Sequence, residues 1–388
     1  MTTSSLKMPP LAVYVHLPWC LAKCPYCDFN SYVTPAALPE DSYVDRLLED
    51  LDFDLPDVAG RTVRSVFFGG GTPSLFAPES IGRFLSGLRR RLLVAADAEV
   101  TLEANPGTLE RGRFAGYRTA GITRISLGVQ SFDDARLKQL GRIHDSGQAR
   151  AAVRELQAAG FDNFNLDLMY GLPGQNVADA CDDVARAIEL APAHISHYQL
   201  SLEPGTVFHY RPPMLPTDEA TWEMQERCQR LLAAHGYEQY EVSAYSRAGL
   251  QCRHNLNYWQ FGDYLGLGAG AHGKITDTSA ARVRRTVRRK QPREYLATAT
   301  AAARVTERRD IERRDLPFEF ALNALRLKAG LSIALFCGRT GLSEDVLTRR
   351  LEDARSRQLV EQCSEDVWRA TALGERFLND LQALFLPD

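Results

Sequence analysis

The sequence predicts an α/β fold built on an incomplete barrel, and three observations predict it. Short apolar runs alternate with helix-patterned stretches through the first half of the chain. Polar residues able to do chemistry sit at the ends of those runs. At 388 residues the chain is long enough for one large core plus an accessory domain. Strand–helix alternation implies βαβ units and a parallel sheet. Ligands of such sheets bind at the carboxyl ends of the strands.

In order, strands are expected at 11–16, 65–68, 100–103, 125–129, 164–169 and 195–200. Helical patterns fall between them at 41–51, 78–93, 111–120, 147–159 and 177–190. Six such units make a barrel open on one side. Residues 1–10 read as a flexible N-terminus without an apolar signal segment, and 11–245 as the barrel core. Within the core, 218–235 reads as a helix and 237–244 as a further strand. Residues 246–314 read as a linker-like region, and 315–388 as a smaller α+β domain. In that last segment, helices at 317–328, 332–340 and 343–356 precede strands at 359–361 and 367–370 and a final helix at 373–386. The order is that of a winged helix. From Ala303 to the end, however, fourteen Lys/Arg face fifteen Asp/Glu, which is not the basic footprint of nucleic-acid binding. A protein-contact or lid module is the expectation, with no nucleic acid as partner.

Directly after the first strand, Cys20, Cys24 and Cys27 form a C-x3-C-x2-C array. Three thiolates on one tight loop suit a metal centre better than disulfides, because a pair leaves the third over. The alternatives are three buried cysteines or a zinc knuckle, although structural zinc takes four ligands. A [4Fe–4S] cluster is held by cysteine thiolates, and with three of them one iron stays open. After the second strand comes Gly69-Gly70-Gly71-Thr72-Pro73, either a plain turn or a close approach to a ligand. Glu103, Gln130 and Asp167 lie at or in the next strands, and Arg142 follows in a loop. A carboxylate inside an apolar strand is costly unless paired, which marks Asp167 as a ligand contact. Cys252-Arg253-His254-Asn255-Leu256-Asn257-Tyr258-Trp259 is dense in polar and aromatic residues. A basic run from Arg282 to Arg293 follows, readable as a solvated face or as a site for anionic carboxylates. His144, His194, His197, His209 and His235 carry no spacing that makes a site. Cys181, Cys228, Cys337 and Cys363 read as small hydrophobes in helix interiors. A net charge of −3 gives no field favouring nucleic acid or membrane. No apolar run approaches the ~20 residues that span a bilayer.

The cysteine loop, the Gly-Gly-Gly-Thr-Pro turn, Glu103-Ala104-Asn105-Pro106, Gly128-Val129-Gln130-Ser131 and Asp167-Leu168-Met169-Tyr170-Gly171-Leu172-Pro173-Gly174-Gln175 occur in one order. Together they resemble the HemN/HemW family of radical S-adenosylmethionine (SAM) proteins over nearly the whole chain. That resemblance implies a (β/α)6 partial TIM barrel with a winged-helix-like C-terminal domain. It implies that Cys20, Cys24 and Cys27 ligate a [4Fe–4S] cluster and that Tyr14 and Tyr26 lie beside it. It implies that Gly70, Gly71 and Thr72 meet the methionine end of SAM, Glu103 its amino group and Arg142 its carboxylate. Gln130 and Asp167 would take the ribose hydroxyls, and Met169 the adenine. The oxidase branch carries a fourth cysteine two residues past the third, where this chain has Phe29. The His254-Asn255-x-x-Tyr258-Trp259 run resembles the haem-chaperone branch. The expected function is therefore to bind haem as cargo and deliver it to client haemoproteins such as respiratory enzymes. The alternatives are an oxygen-independent coproporphyrinogen III oxidase, which turns propionates into vinyls, and a radical SAM methyltransferase. Candidate haem contacts are His254, Cys252, Tyr258 and Trp259, with His272 and His16 as further ligands; the alternative is that His254 is a hydrogen-bonded structural histidine and Trp259 a core residue. A cluster-dependent homodimer and a cytoplasmic location, peripheral to the membrane where clients are embedded, complete the expectation.

Overall fold

The structure is a computed structural model that describes residues 5–107 and 112–387. The expected helix start at residue 111, residues 1–4 of the N-terminal segment and Asp388 lie outside the described residues. Six parallel strands stand side by side in chain order: β1 Leu11–Leu17, β2 Thr62–Gly70, β3 Leu93–Ala104, β4 Arg124–Gln130, β5 Phe164–Tyr170 and β6 His194–Gln199. Helices α1 Glu40–Asp54, α2 Pro78–Arg91, α3 Phe114–Ala120, α4 Ser146–Ala158, α5 Val177–Glu189 and α6 Asp218–Ala234 cover the outer face. Leu11, Val13, Val15 and Leu17 are buried on alternate positions with Ala12 buried between, as a strand covered on both faces requires. Capping boxes fix two helix starts, Asp145 with Gln148 and Asn176 with Asp179.

Both edges of the sheet are extended. The strand expected at 237–244 is a hairpin, Glu238–Glu241 and Ala244–Ser246, whose second strand lies antiparallel to β6. At the other edge, β7 Asp263–Leu267 runs parallel to β1, followed by antiparallel β8 His272–Asp277, β9 Arg282–Arg288 and β10 Val305–Asp310. Residues 246–314 are therefore sheet and helix joined to the barrel, where the sequence suggested a linker.

Strand β9 carries the first part of the basic run, Arg282 to Arg288, and its charges are paired within the protein. Arg288 lies buried between Asp50 at 3.1 Å and Asp54 at 2.6 Å, and Arg285 meets Glu319. Asp50 also takes Arg304 Nε at 2.8 Å and the Tyr295 hydroxyl at 2.6 Å. The N-terminal segment, expected to be flexible, is docked where described. Lys7 N donates to Gly338 O at 2.7 Å, and Asp263 N donates to Pro10 O at 3.0 Å.

The C-terminal domain has its own core around Phe320, Phe336, Leu347, Leu351 and Trp368. Helices Leu316–Ala324, Ile333–Thr340 and Glu344–Ser356 pack on a three-stranded sheet of Leu331–Ser332, Val367–Ala370 and Val360–Gln362, a winged-helix-like arrangement. The last helix is broken at Phe377 into Ala372–Arg376 and Leu378–Ala383. Cys363 is exposed beyond a strand rather than inside a helix.

Candidate functional site

The cysteine loop leaves β1 and is held from several sides. Trp19–Cys20 pairs with Tyr32–Val33 and closes its base. Lys23 Nζ donates to the carbonyls of Phe29 and Ser31 at 3.3 and 3.2 Å. The His16 Nε2–H donates to Asn30 O at 2.9 Å, so Nδ1 accepts from the Tyr14 hydroxyl at 3.0 Å. Cys20, Cys24 and Cys27 line one cavity of 650 Å³ at the carboxyl ends of the barrel strands. Gly70, Gly71, Thr72, Glu103, Gln130, Arg142, Asp167 and Met169 line it too, and so does Tyr26. Among the described residues, no group of His, Cys, Asp and Glu converges on a single metal ion. Three cysteines on the wall of one cavity are a donor set that an iron–sulfur cluster takes.

The walls explain their residue types. Gly70 has φ of +119°, and a Cβ there would come within 2.6 Å of the His16 ring. A Cβ on Gly71 would stand 2.5 Å from Trp19 O. Only glycine lets this turn close on the cysteine loop. Glu103 Oε2 accepts from Gly70 N at 3.1 Å. Burial and the nearby Asp167 push Glu103 up to about 8. Glu103 and Asp167, both half-buried on the wall of one cavity, offer carboxyl oxygens to an ammonium or a hydroxyl, with Arg142 on the same wall for an anionic group. Asp167 accepts from Asn165 Nδ2 at 2.8 Å and from Ser126 Oγ at 3.2 Å, and burial raises it as well. Gln130 ends β4 at φ of 70°, a left-handed conformation costing about 1–3 kcal/mol outside glycine. Its Oε1 accepts from the Tyr198 hydroxyl at 2.7 Å, so its amide N–H groups remain available. Arg142 donates through Nη2 to Gly128 O at 2.8 Å and to Asn105 Oδ1, while Nη1 stands 3.7 Å from Cys24 Sγ. Its buried Nε has no partner among the described residues. Met169 belongs to an apolar cluster with Leu140, Leu172, Leu200 and Phe208, against which Tyr26 packs.

Residues 14–187 match the model of the Radical SAM superfamily, and residues 311–378 match that of the HemN C-terminal domain. Over 383 residues the chain is 48% identical to the heme chaperone HemW of Escherichia coli (strain K12), covering 99% of this chain and 100% of that one. A HemW from Mycobacterium tuberculosis (strain ATCC 25618 / H37Rv) is 38% identical over 90% of each chain. This chain belongs to the HemW family. Among solved structures, coproporphyrinogen III oxidase (HemN) from Escherichia coli superposes with a TM-score of 0.80 over 97% of this chain and 90% of that one. At 23% identity this similarity speaks for the fold alone.

The haem candidates of this HemW-family chain lie apart from the cysteine cavity. His254 and Tyr258 sit on the short helix Arg253–Trp259, whose first amides are capped by Glu99: Arg253 N and His254 N each donate to its carboxylate at 3.2 Å. His254 is sealed, with Nδ1 3.0 Å from Ser65 Oγ and Nε2 3.0 Å from the Tyr258 hydroxyl. Burial holds it at about 3, so the ring is neutral and both nitrogens are engaged. Cys252 is equally buried against Glu99, which with desolvation pushes its thiol up to about 12. Trp259 carries the Arg326 guanidinium over its face at 4.3 Å. Tyr258 lines a second cavity, which also receives His16 and His272.

Asn105, Ser126, Asn165, Tyr198 and Arg326 were missed from sequence. Asn105 lies inside the recognisable Glu103-to-Pro106 motif, and it links Arg142 to Thr72, whose Oγ1 is 2.9 Å from its Nδ2. The others carry no local signal. Arg326 reaches the cysteine cavity from the C-terminal domain, anchored by Glu241 at 3.0 Å.

Proposed function

We propose that this chain is a haem chaperone that binds haem as cargo, hands it to client haemoproteins, and holds a [4Fe–4S] cluster and SAM at the cysteine loop. One observation carries the reading. Cys20, Cys24 and Cys27 share a cavity with Glu103, Gln130, Arg142 and Asp167, while position 29 is Phe29, 60% exposed on the rim of that cavity. The full-length likeness to proteins named heme chaperone HemW supports the cargo.

In this reading the three cysteines ligate the cluster and leave one iron open. Glu103 and the Gly70–Thr72 turn receive the amino end of SAM, and Arg142 its carboxylate. Gln130 offers its amide to the ribose and Asp167 accepts from a ribose hydroxyl. Met169 and Tyr26 supply the apolar wall for adenine. With SAM bound, such a cluster would supply one-electron reductive cleavage of the sulfonium, the electron coming from an external reductant such as dithionite. Arg142, bridged to Thr72 through Asn105, holds the SAM carboxylate in register with Cys24. The cluster is read as gating a homodimer. Among the described residues no helix is long and apolar enough to cross a membrane, so membrane-embedded clients would be met at the periphery.

The test is anaerobic reconstitution with iron and sulfide, then incubation with SAM, dithionite and coproporphyrinogen III, with haem titrated in parallel. Stoichiometric haem binding without decarboxylated porphyrin is the expected result. Decarboxylated product that vanishes in Cys24→Ser would overturn it in favour of an oxidase. Native mass measurement of apo and cluster-loaded protein at equal concentration checks the gated dimer, which fails if both have the same state.

A further inference from the structure

Beside the cysteine cavity lies a second one of 640 Å³, within the size range of ligand pockets. The two share Lys23, Asp28, Phe29, Ser31, Gly70 and Glu103 as a common wall. The far side of the second cavity is built by Tyr258 of the helix Arg253–Trp259 and by Tyr264, Gly270, His272 and Lys290 from the strands beyond β1 and their connections.

The polar groups of this cavity are unequally engaged. The Tyr14 hydroxyl donates to His16, and the Tyr258 hydroxyl pairs with His254. The Tyr264 hydroxyl accepts from Arg285 Nη1 at 2.6 Å. These phenols are satisfied by protein, and what they offer a ligand is ring surface. His16 has both ring nitrogens occupied. His272 differs: it is exposed at the start of β8, and among the described residues no hydrogen bond reaches its ring. Desolvation with the Arg285 and Lys290 charges lowers it, which keeps the imidazole neutral and its lone pair free. Lys290 is exposed, and no carboxylate among the described residues pairs with its ammonium.

We infer that this second cavity is the haem site, with His272 as an axial ligand of the iron and Lys290 receiving a propionate. The inference rests on the haem-chaperone reading and names the place where that cargo sits. Neutral imidazole is a common haem ligand. A flat macrocycle suits the walls of Tyr258, Tyr264 and Phe29. The acids, Asp28 and Glu103, lie on the wall shared with the cysteine cavity, so the propionates point the other way, to the Lys290 rim. Cys252 and His254 are sealed and make no contact with this ligand.

Ferric haem titrated into the full-length protein, followed by absorption and electron paramagnetic resonance, tests the site. His272→Ala is expected to weaken binding tenfold or more and to move the Soret band, and added imidazole to restore the band. His272→Cys is expected to keep haem while its spectrum turns to that of a thiolate ligand. Lys290→Ala weakens binding several-fold without moving the band. Wild-type spectrum and affinity in both His272→Ala and His272→Cys would overturn the site and leave the chaperone reading standing. Failure of the unaltered protein to bind haem would overturn the chaperone reading, and the site with it.

Discussion

His254→Ala is expected to behave as a stability variant, not as a haem-ligand variant. The side chain is buried and makes two 3.0 Å hydrogen bonds, to Ser65 and Tyr258. Its ring stacks on Phe67 with centroids 5.0 Å apart. Truncation removes two net hydrogen bonds, about 1 kcal/mol each, and strands buried hydroxyls at about 1–3 kcal/mol each where they find no water. It also leaves a ring-sized void, and aromatic-to-Ala changes in cores cost about 3–5 kcal/mol. These overlap, so the loss is placed at about 4 kcal/mol, a large part of a typical total of about 5–15 kcal/mol. At about 2 °C per kcal/mol for a chain of this size, the midpoint falls by roughly 8 °C. The assay is thermal unfolding by circular dichroism, with a haem titration well below the transition. An unchanged midpoint together with a displaced Soret band would refute the reasoning, because it would mean that His254 opens to meet iron at little cost.

Glu103→Gln is expected to weaken SAM binding by about 1.5–3 kcal/mol, the value of a hydrogen bond to a charged group, in equilibrium dialysis near pH 8. Because burial raises the Glu103 pKa to about 8, its contribution falls as pH climbs from about 4.3 toward 8, and the Gln variant should lack up to about 4–5 kcal/mol of that decline in denaturant titrations. His197 is stacked on Tyr170 at 4.6 Å and held at about 3 by burial. Its contribution is complete above about pH 6.5 and lost as pH falls toward 3, so His197→Phe should spare about 2 kcal/mol of the wild-type loss between pH 7 and 5; parallel acid limbs in urea melts would show this wrong. Asp50→Ala takes one of two carboxylates from each of the buried Arg288 and Arg304, which keep Asp54 and Glu49, and should cost about 3 kcal/mol, read as an early unfolding midpoint; a midpoint within 1 °C of wild type would contradict it. Asn30→Ala removes the Nδ2 donations to Ala269 O and Lys290 O, both 3.0 Å, and is expected to speed loss of the reconstituted cluster's absorbance under chelator severalfold.

What could be read from sequence was whatever one strand end declares locally. Gly70, Glu103, Gln130 and Asp167 each close or occupy a parallel strand, and the topology alone brings such residues to one rim. Arg142 was legible as a cation, but its grip on Gly128 and Asn105 depends on neighbours in two other strand ends. The helix Arg253–Trp259 misleads for a physical reason. A dense polar and aromatic run has the same composition whether it faces a ligand or a buried network, and here Glu99, Ser65 and the Tyr258 hydroxyl absorb its polar atoms. Within the basic run, the partners of Arg285 and Arg288 are equally hidden from the sequence, because Asp50, Asp54 and Glu319 come from distant elements. Positive φ at Gln130 has no sequence signal, since nothing local demands it.

Asn30 shows how the two cavities are mechanically joined. It stands three residues past Cys27, and its backbone carbonyl accepts from His16 of β1. Its amide nitrogen donates to the carbonyls of Ala269, in the connection between β7 and β8, and Lys290, two residues past the end of β9. Gly270 permits this, since a Cβ there would come within 2.2 Å of that nitrogen. The Tyr32 hydroxyl completes the set by donating to Asn30 Oδ1 at 3.1 Å. The loop carrying the cysteines is thus fixed to the outer strands by the side chain of one residue, with Phe29 beside it on the wall of both cavities. Any rearrangement of the loop that moves Cys27 must carry Asn30, and through it the wall that holds His272 and Lys290. Coupling between the cysteine cavity and its neighbour therefore needs no long-range path, only this shared partition.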